Sequence, residues 1–211
     1  RKPLVTEKIL HVSDISLEDV MRPLELGVQV DCFPKLNEML GGFRKRELTI
    51  ISASSGAGKT TAVSKICDDI RDQGYKAGTI YLEETATKTL QRSIAAELKV
   101  SYREYKRNPL AVASQEDITR VYNDLCKRDN IIFLDHFGSM PIKELMAKVK
   151  HMYFIEKCDY IVLDHLSMVI SGSDVKDERK EIDIVMTELA AFCAANDIGI
   201  ILVVHLNRQG S

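Results

Sequence analysis

The chain has 211 residues, 45% apolar and 28% charged, which suits one large globular domain or a domain with a short appendage. Its formal net charge of −2 excludes a broadly basic surface, so any nucleic acid must be met by local loops. Five scattered cysteines without a C-x-x-C spacing argue against a zinc cluster or a disulfide frame and fit a reducing compartment, and no apolar run reaches transmembrane length.

Residues 1–32 are mixed in character and read as a linker segment, without a signal-peptide pattern. Within them Ser16-Leu17-Glu18-Asp19-Val20-Met21 has the form of a short helix with Ser16 as N-cap, ended by Pro23. From Phe33 a core pattern begins and continues through 33–211. Strand-like runs occur at Leu48–Ala53, Gly78–Leu82, Ile131–Leu134, Tyr160–Leu163 and Ile198–Val204, with helical patterns at 60–73, 86–98, 115–128, 141–157 and 178–196. This alternation of near-continuous apolar strands with helices predicts an α/β fold, a largely parallel sheet with helices on both faces. Ligands on such a sheet bind at the carboxyl ends of the strands, so the polar residues there are the candidates for chemistry.

The first strand runs into Ser52-Ala53-Ser54-Ser55-Gly56-Ala57-Gly58-Lys59-Thr60, followed by a helix. Small residues let backbone N–H groups turn toward phosphate oxygens, and the helix N-terminus adds partial positive charge. Lys59 then reaches the β/γ-phosphates and the Thr60 hydroxyl can ligate Mg²⁺. Ala53 stands where this motif usually has Gly, a change small enough to keep the loop. The reading is a nucleoside-triphosphate site contacted by Ser54, Ser55, Gly56, Ala57, Gly58, Lys59, Thr60 and Thr61.

The second strand ends in Leu82-Glu83-Glu84-Thr85. An acid here can polarise an attacking water, and Glu83, directly after the apolar run, is favoured over Glu84, which suits the start of the next helix. Two later strands end alike, in Leu134-Asp135-His136 and Leu163-Asp164-His165. Either carboxylate fits a Walker-B aspartate that holds Mg²⁺ through its waters. Asp135 leads into a turn and a helix that it or Ser139 would cap, whereas Asp164 leads into a Ser/Gly/Asp-rich loop, which favours Asp164 for the metal. The last strand ends in Val204-His205-Leu206-Asn207-Arg208, and His205 is a candidate sensor of the γ-phosphate.

Taken in order, these residues resemble the motor domain of DnaB-type replicative helicases, a family that includes phage primase-helicases and mitochondrial Twinkle. The resemblance is carried by Phe33 to Leu48 before the phosphate loop and by Leu82-Glu83-Glu84. Asp164-His165-Leu166-Ser167 with the loop to Lys180, and Val204-His205-Leu206-Asn207, complete it; the weakest stretch is Tyr102–Asn130. The resemblance implies a RecA-like P-loop NTPase core using Mg²⁺ and ATP or another NTP, with Lys59 on the phosphates and Thr60 and Asp164 on the metal. It further implies Glu83 as general base, His205 as sensor, and a DNA-contacting loop beginning at Asn207 and Arg208. Single-stranded DNA in the channel of a hexameric ring, with primase and polymerase as further partners, follows from the same resemblance. So does a location in the cytoplasm, a phage-infected host included, or in the mitochondrial matrix. The 14–22 segment would correspond to the linker helix that docks on a neighbouring subunit.

Family members continue past the sensor strand to an arginine finger, so the sequence reads as truncated there. The expectation is that these residues alone bind nucleotide but hydrolyse it slowly and do not unwind DNA. Two other readings share the phosphate loop: a RecA-like recombination or clock-type ATPase that assembles without unwinding, and a small-molecule kinase. The kinase would need a lid with paired arginines, for which no cluster is found.

Overall fold

A computed structural model describes residues 9–53, 58–166 and 178–205, with the side chains of Ala53, Glu178, Arg179 and His205 excepted. Five parallel strands form its sheet: β1 (Leu48–Ala53), β2 (Ala77–Tyr81), β3 (Ile131–Phe133), β4 (Tyr160–Asp164) and β5 (Gly199–His205), in the order β1-β5-β4-β2-β3. Each strand lies within one or two residues of its expected position.

Strand residues alternate between two cores because the side-chain period of a strand is two. Ile80, Ile161, Leu163, Ile200 and Leu202 face one side, where they meet α8 (Ile142–Phe154) and α9 (Glu178–Ala195) through Leu145, Val149, Leu189 and Cys193. Tyr81, Val162, Ile201 and Val203 face the other side and meet α3 (Lys59–Asp72). The buried Val63, Ile66, Cys67 and Ile70 recur at helical spacing along α3, which is why this helix lies flat on the sheet. Gly199 opens β5 where a Cβ would stand 2.6 Å from the Tyr160 ring and 2.9 Å from the Arg44 carbonyl oxygen, so only glycine lets the strand start there.

A satellite cluster around Ile94, Tyr105, Val121 and Leu125 joins α4 (Ala86–Glu97), α5 (Tyr102–Arg107) and α7 (Gln115–Lys127), with the short α6 (Pro109–Val112) between them. On the N-terminal side, α1 (Leu17–Met21) is capped by Ser16, whose hydroxyl accepts from the Asp19 amide at 3.0 Å, and it ends before Pro23 as expected. Val28 and Val30 are buried on the α3 face, and Val28 bridges antiparallel to Phe43. Asn37, on α2 (Pro34–Leu40), clamps the backbone of Val30 with two 2.9 Å hydrogen bonds. No helix among the described residues is long and apolar enough to cross a membrane.

Candidate active site

Because the sheet is parallel, every strand delivers its last residue to one edge. At that edge β1 hands the chain to the phosphate loop, and Gly58 begins α3 with φ 79°, a left-handed conformation that glycine adopts without steric cost. Lys59 and Thr60 are the first residues of the helix; Lys59 is 8% exposed, and Thr61 is exposed. Ser54, Ser55, Gly56, Ala57, Asn207 and Arg208 lie outside the described residues, as does the side chain of His205. The backbone of His205 is paired in register with Ala53, so β5 ends beside the strand that feeds the loop.

Thr60 and Asp164 meet directly. The Thr60 hydroxyl donates to Asp164 Oδ2 at 2.6 Å, and Asp164, the last residue of β4, is 5% exposed. Two hard oxygen donors at the mouth of a phosphate loop suit Mg²⁺, which takes one or two protein oxygens and completes its shell with phosphates and water. Among the described residues no group of three or more His, Cys, Asp or Glu could hold a metal ion.

The other Walker-B-like strand has a different part. β3 is an outer strand of the sheet, farthest from β1, and the Asp135 carboxylate accepts from the Ala86 amide at 3.4 Å, at the start of α4. It therefore borders a helix N-terminus, but not the helix that follows it in sequence. That helix, α8, has Pro141 at its N-cap and no side-chain cap, so the expectation that Ser139 or Asp135 caps it is corrected.

Glu83 and Glu84 have opposite surroundings. Arg92 grips Glu84 in a two-pronged pair at 2.5 and 2.8 Å, Thr89 donates to the same carboxylate at 3.1 Å, and both charged side chains are 13% exposed. Arg92 also lies 4.8 Å over the Tyr102 ring and donates to the Ser64 hydroxyl at 3.3 Å. Glu84 is thus committed to anchoring α4 through Thr89 and Arg92, and Arg92 in turn reaches α3 at Ser64. Glu83 stays 58% exposed at the crevice, and its Oε1 is 2.8 Å from Nε2 of the buried His165. The reading of the sequence missed Arg92 and His165. Asp164-His165 stands in a recognised motif, yet nothing local says that the histidine reaches the end of another strand.

The family model described as DnaB-like helicase C terminal domain matches residues 27–211. The DNA helicase/primase of Enterobacteria phage T3 is 31% identical over 203 residues, 93% of this chain and 36% of that protein. The replicative DNA helicase DnaB of Geobacillus stearothermophilus is 22% identical over 179 residues, 84% of this chain and 39% of that one. The chain thus spans well under half the length of these relatives. Among solved structures, the ATPase domain of a DnaB-like helicase superposes with a TM-score of 0.72 at 19% identity, covering 87% of this chain and 65% of that chain. A DnaB-like replicative helicase studied with primase gives 0.71 over 87% of this chain and 44% of that one. Both show a shared RecA-like fold.

Proposed function

Given that the chain belongs to the DnaB-like helicase C-terminal domain family, we propose that it is the NTP-hydrolysing motor of a replicative DNA helicase. The observation that carries this reading is the 2.6 Å contact of Thr60 with Asp164, with a solvent-facing glutamate at the neighbouring strand end. Lys59 binds the β/γ-phosphates and draws charge from them as the terminal bond weakens. Thr60 and, through water, Asp164 would hold Mg²⁺, which when bound would neutralise charge on the phosphate oxygens. Glu83 takes the proton of a water whose oxygen bonds to the γ-phosphorus while the bond to the β-γ bridging oxygen breaks, releasing nucleoside diphosphate and phosphate.

The remaining roles are supported by backbone position and family membership. His205 reports the γ-phosphate state from the strand beside β1, and Asn207 and Arg208, by family membership alone, contact single-stranded DNA. The exposed apolar residues of α1, Leu17, Val20 and Met21, suit docking on a neighbouring subunit of a ring. Primase is a natural partner, as in the DnaB-like helicase studied with primase. The relatives are proteins of phage and bacterial replication, which suits a cytoplasmic motor.

The test is sizing of the full-length protein with and without ATP, Mg²⁺ and a single-stranded oligonucleotide, followed by a forked-duplex unwinding assay. A nucleotide-dependent ring that unwinds the fork is the expected result. Assembly with ATP turnover but no unwinding would favour a recombination-type ATPase.

A further inference from the structure

Resting on the reading of Glu83 as general base, we propose that His165 is the positioning residue of that base. The carboxylate of Glu83 only accepts hydrogen bonds when ionised, so at 2.8 Å the Nε2 of His165 is the donor. Glutamate has three side-chain torsions, and Glu83 is 58% exposed, so the bare strand end leaves its carboxylate to sample solvent. A hydrogen bond to an ionised acceptor outweighs that rotamer freedom only if the donor is itself fixed.

His165 is fixed. It is 5% exposed, and the backbone on either side of it is tied to a different strand. The Asp164 carbonyl oxygen accepts from the Leu82 amide at 2.9 Å, and the Leu166 amide donates to the Val203 carbonyl at 3.2 Å. The residues flanking Glu83 are held as well, Leu82 by that same bond and Glu84 by Arg92. Glu83 is therefore a solvent-facing side chain on a rigid backbone, oriented by one buried imidazole. Since Asp164 and His165 are consecutive, one strand end sets both the magnesium-side carboxylate and the orientation of the base. Glu83 and Asp164 thus keep a common frame.

The experiment is a double-mutant cycle on the full-length protein with ATP, Mg²⁺ and single-stranded DNA, recording single-turnover hydrolysis and nucleotide affinity. His165→Ala is expected to lower the hydrolysis rate about 10- to 100-fold, the usual cost of a displaced catalytic group, with nucleotide affinity within about twofold. His165→Gln, which keeps an N–H near the Nε2 position, should recover most of the rate. His165→Met, which keeps the buried volume without a donor, should match alanine and guards against misfolding of the smaller side chain. On the residual rate of Glu83→Gln, adding His165→Ala should cost less than about twofold, because the pair acts as one unit. An equal loss in both backgrounds, or a methionine variant as active as glutamine, overturns the positioning role while leaving the general base in place. Full turnover by Glu83→Gln alone overturns both.

Discussion

At the scale of single residues, the two neighbouring glutamates are sorted by burial. Removing Arg92 strands the Glu84 carboxylate at 13% exposure without its cation and also strips the ring of Tyr102 of its partner. Arg92→Ala is expected to cost roughly 3–5 kcal/mol of stability, as for other buried pairs broken on one side. Glu83→Gln, on a side chain 58% exposed, should stay within about 0.5 kcal/mol. Urea denaturation of the two variants beside the parent checks the contrast, and equal losses would contradict it. Burial of this kind is not written in a run of Leu-Glu-Glu. The order of the residues favoured Glu83, but the reason Glu84 is unavailable is an arginine eight positions along, on the next helix.

At the scale of elements, α3 carries the proposed phosphate- and metal-binding residues Lys59 and Thr60 at its first turn and a half-buried acid, Asp68, further along. Burial pushes the Asp68 carboxyl up from the ordinary 3.8 to about 6, against the pull of Arg71 and Lys65. Between those two values the folded chain keeps the proton and the unfolded chain has lost it, so stability falls as pH rises toward about 6 and stays low above it. Asp68→Asn should remove this slope and raise stability at pH ~7.5 by on the order of 1–3 kcal/mol. Arg71 keeps its hold on the Ala77 carbonyl, at 2.8 Å, in the variant. Denaturant midpoints at pH ~5 and ~7.5 check this; an asparagine variant with the same pH slope as the parent would contradict it.

The five strands and five long helices of the described residues were legible because the strands are near-continuous apolar runs and the helices repeat their apolar residues every three to four positions. The short helices Pro34–Leu40, Tyr102–Arg107 and Pro109–Val112 were not, since so few residues hold less than two full turns of pattern. Their boundaries come from local devices instead. Pro34 starts one of them, and Gly41 ends it with φ 69°.

At the scale of the whole molecule, strand order separates Asp135 from Asp164, which read alike in the sequence. The two strands read alike, but β4 lies one strand from β1 and β3 lies at the far side of the sheet, and no local pattern encodes that permutation. The same order puts β2 beside β4, so that Glu83 and His165 meet although 82 positions separate them in the chain. Long-range register of this kind is why candidate site residues could be named from the sequence while their contacts could not.

The arrangement is proposed to hydrolyse a nucleoside triphosphate with Glu83 as the base. The most direct measurement is DNA-stimulated ATP turnover by the full-length protein carrying Glu83→Gln, alongside its affinity for ATP. Affinity close to that of the parent and turnover reduced about 10²- to 10⁴-fold, the range for loss of a general base, are expected. Turnover at the parent's rate would contradict it.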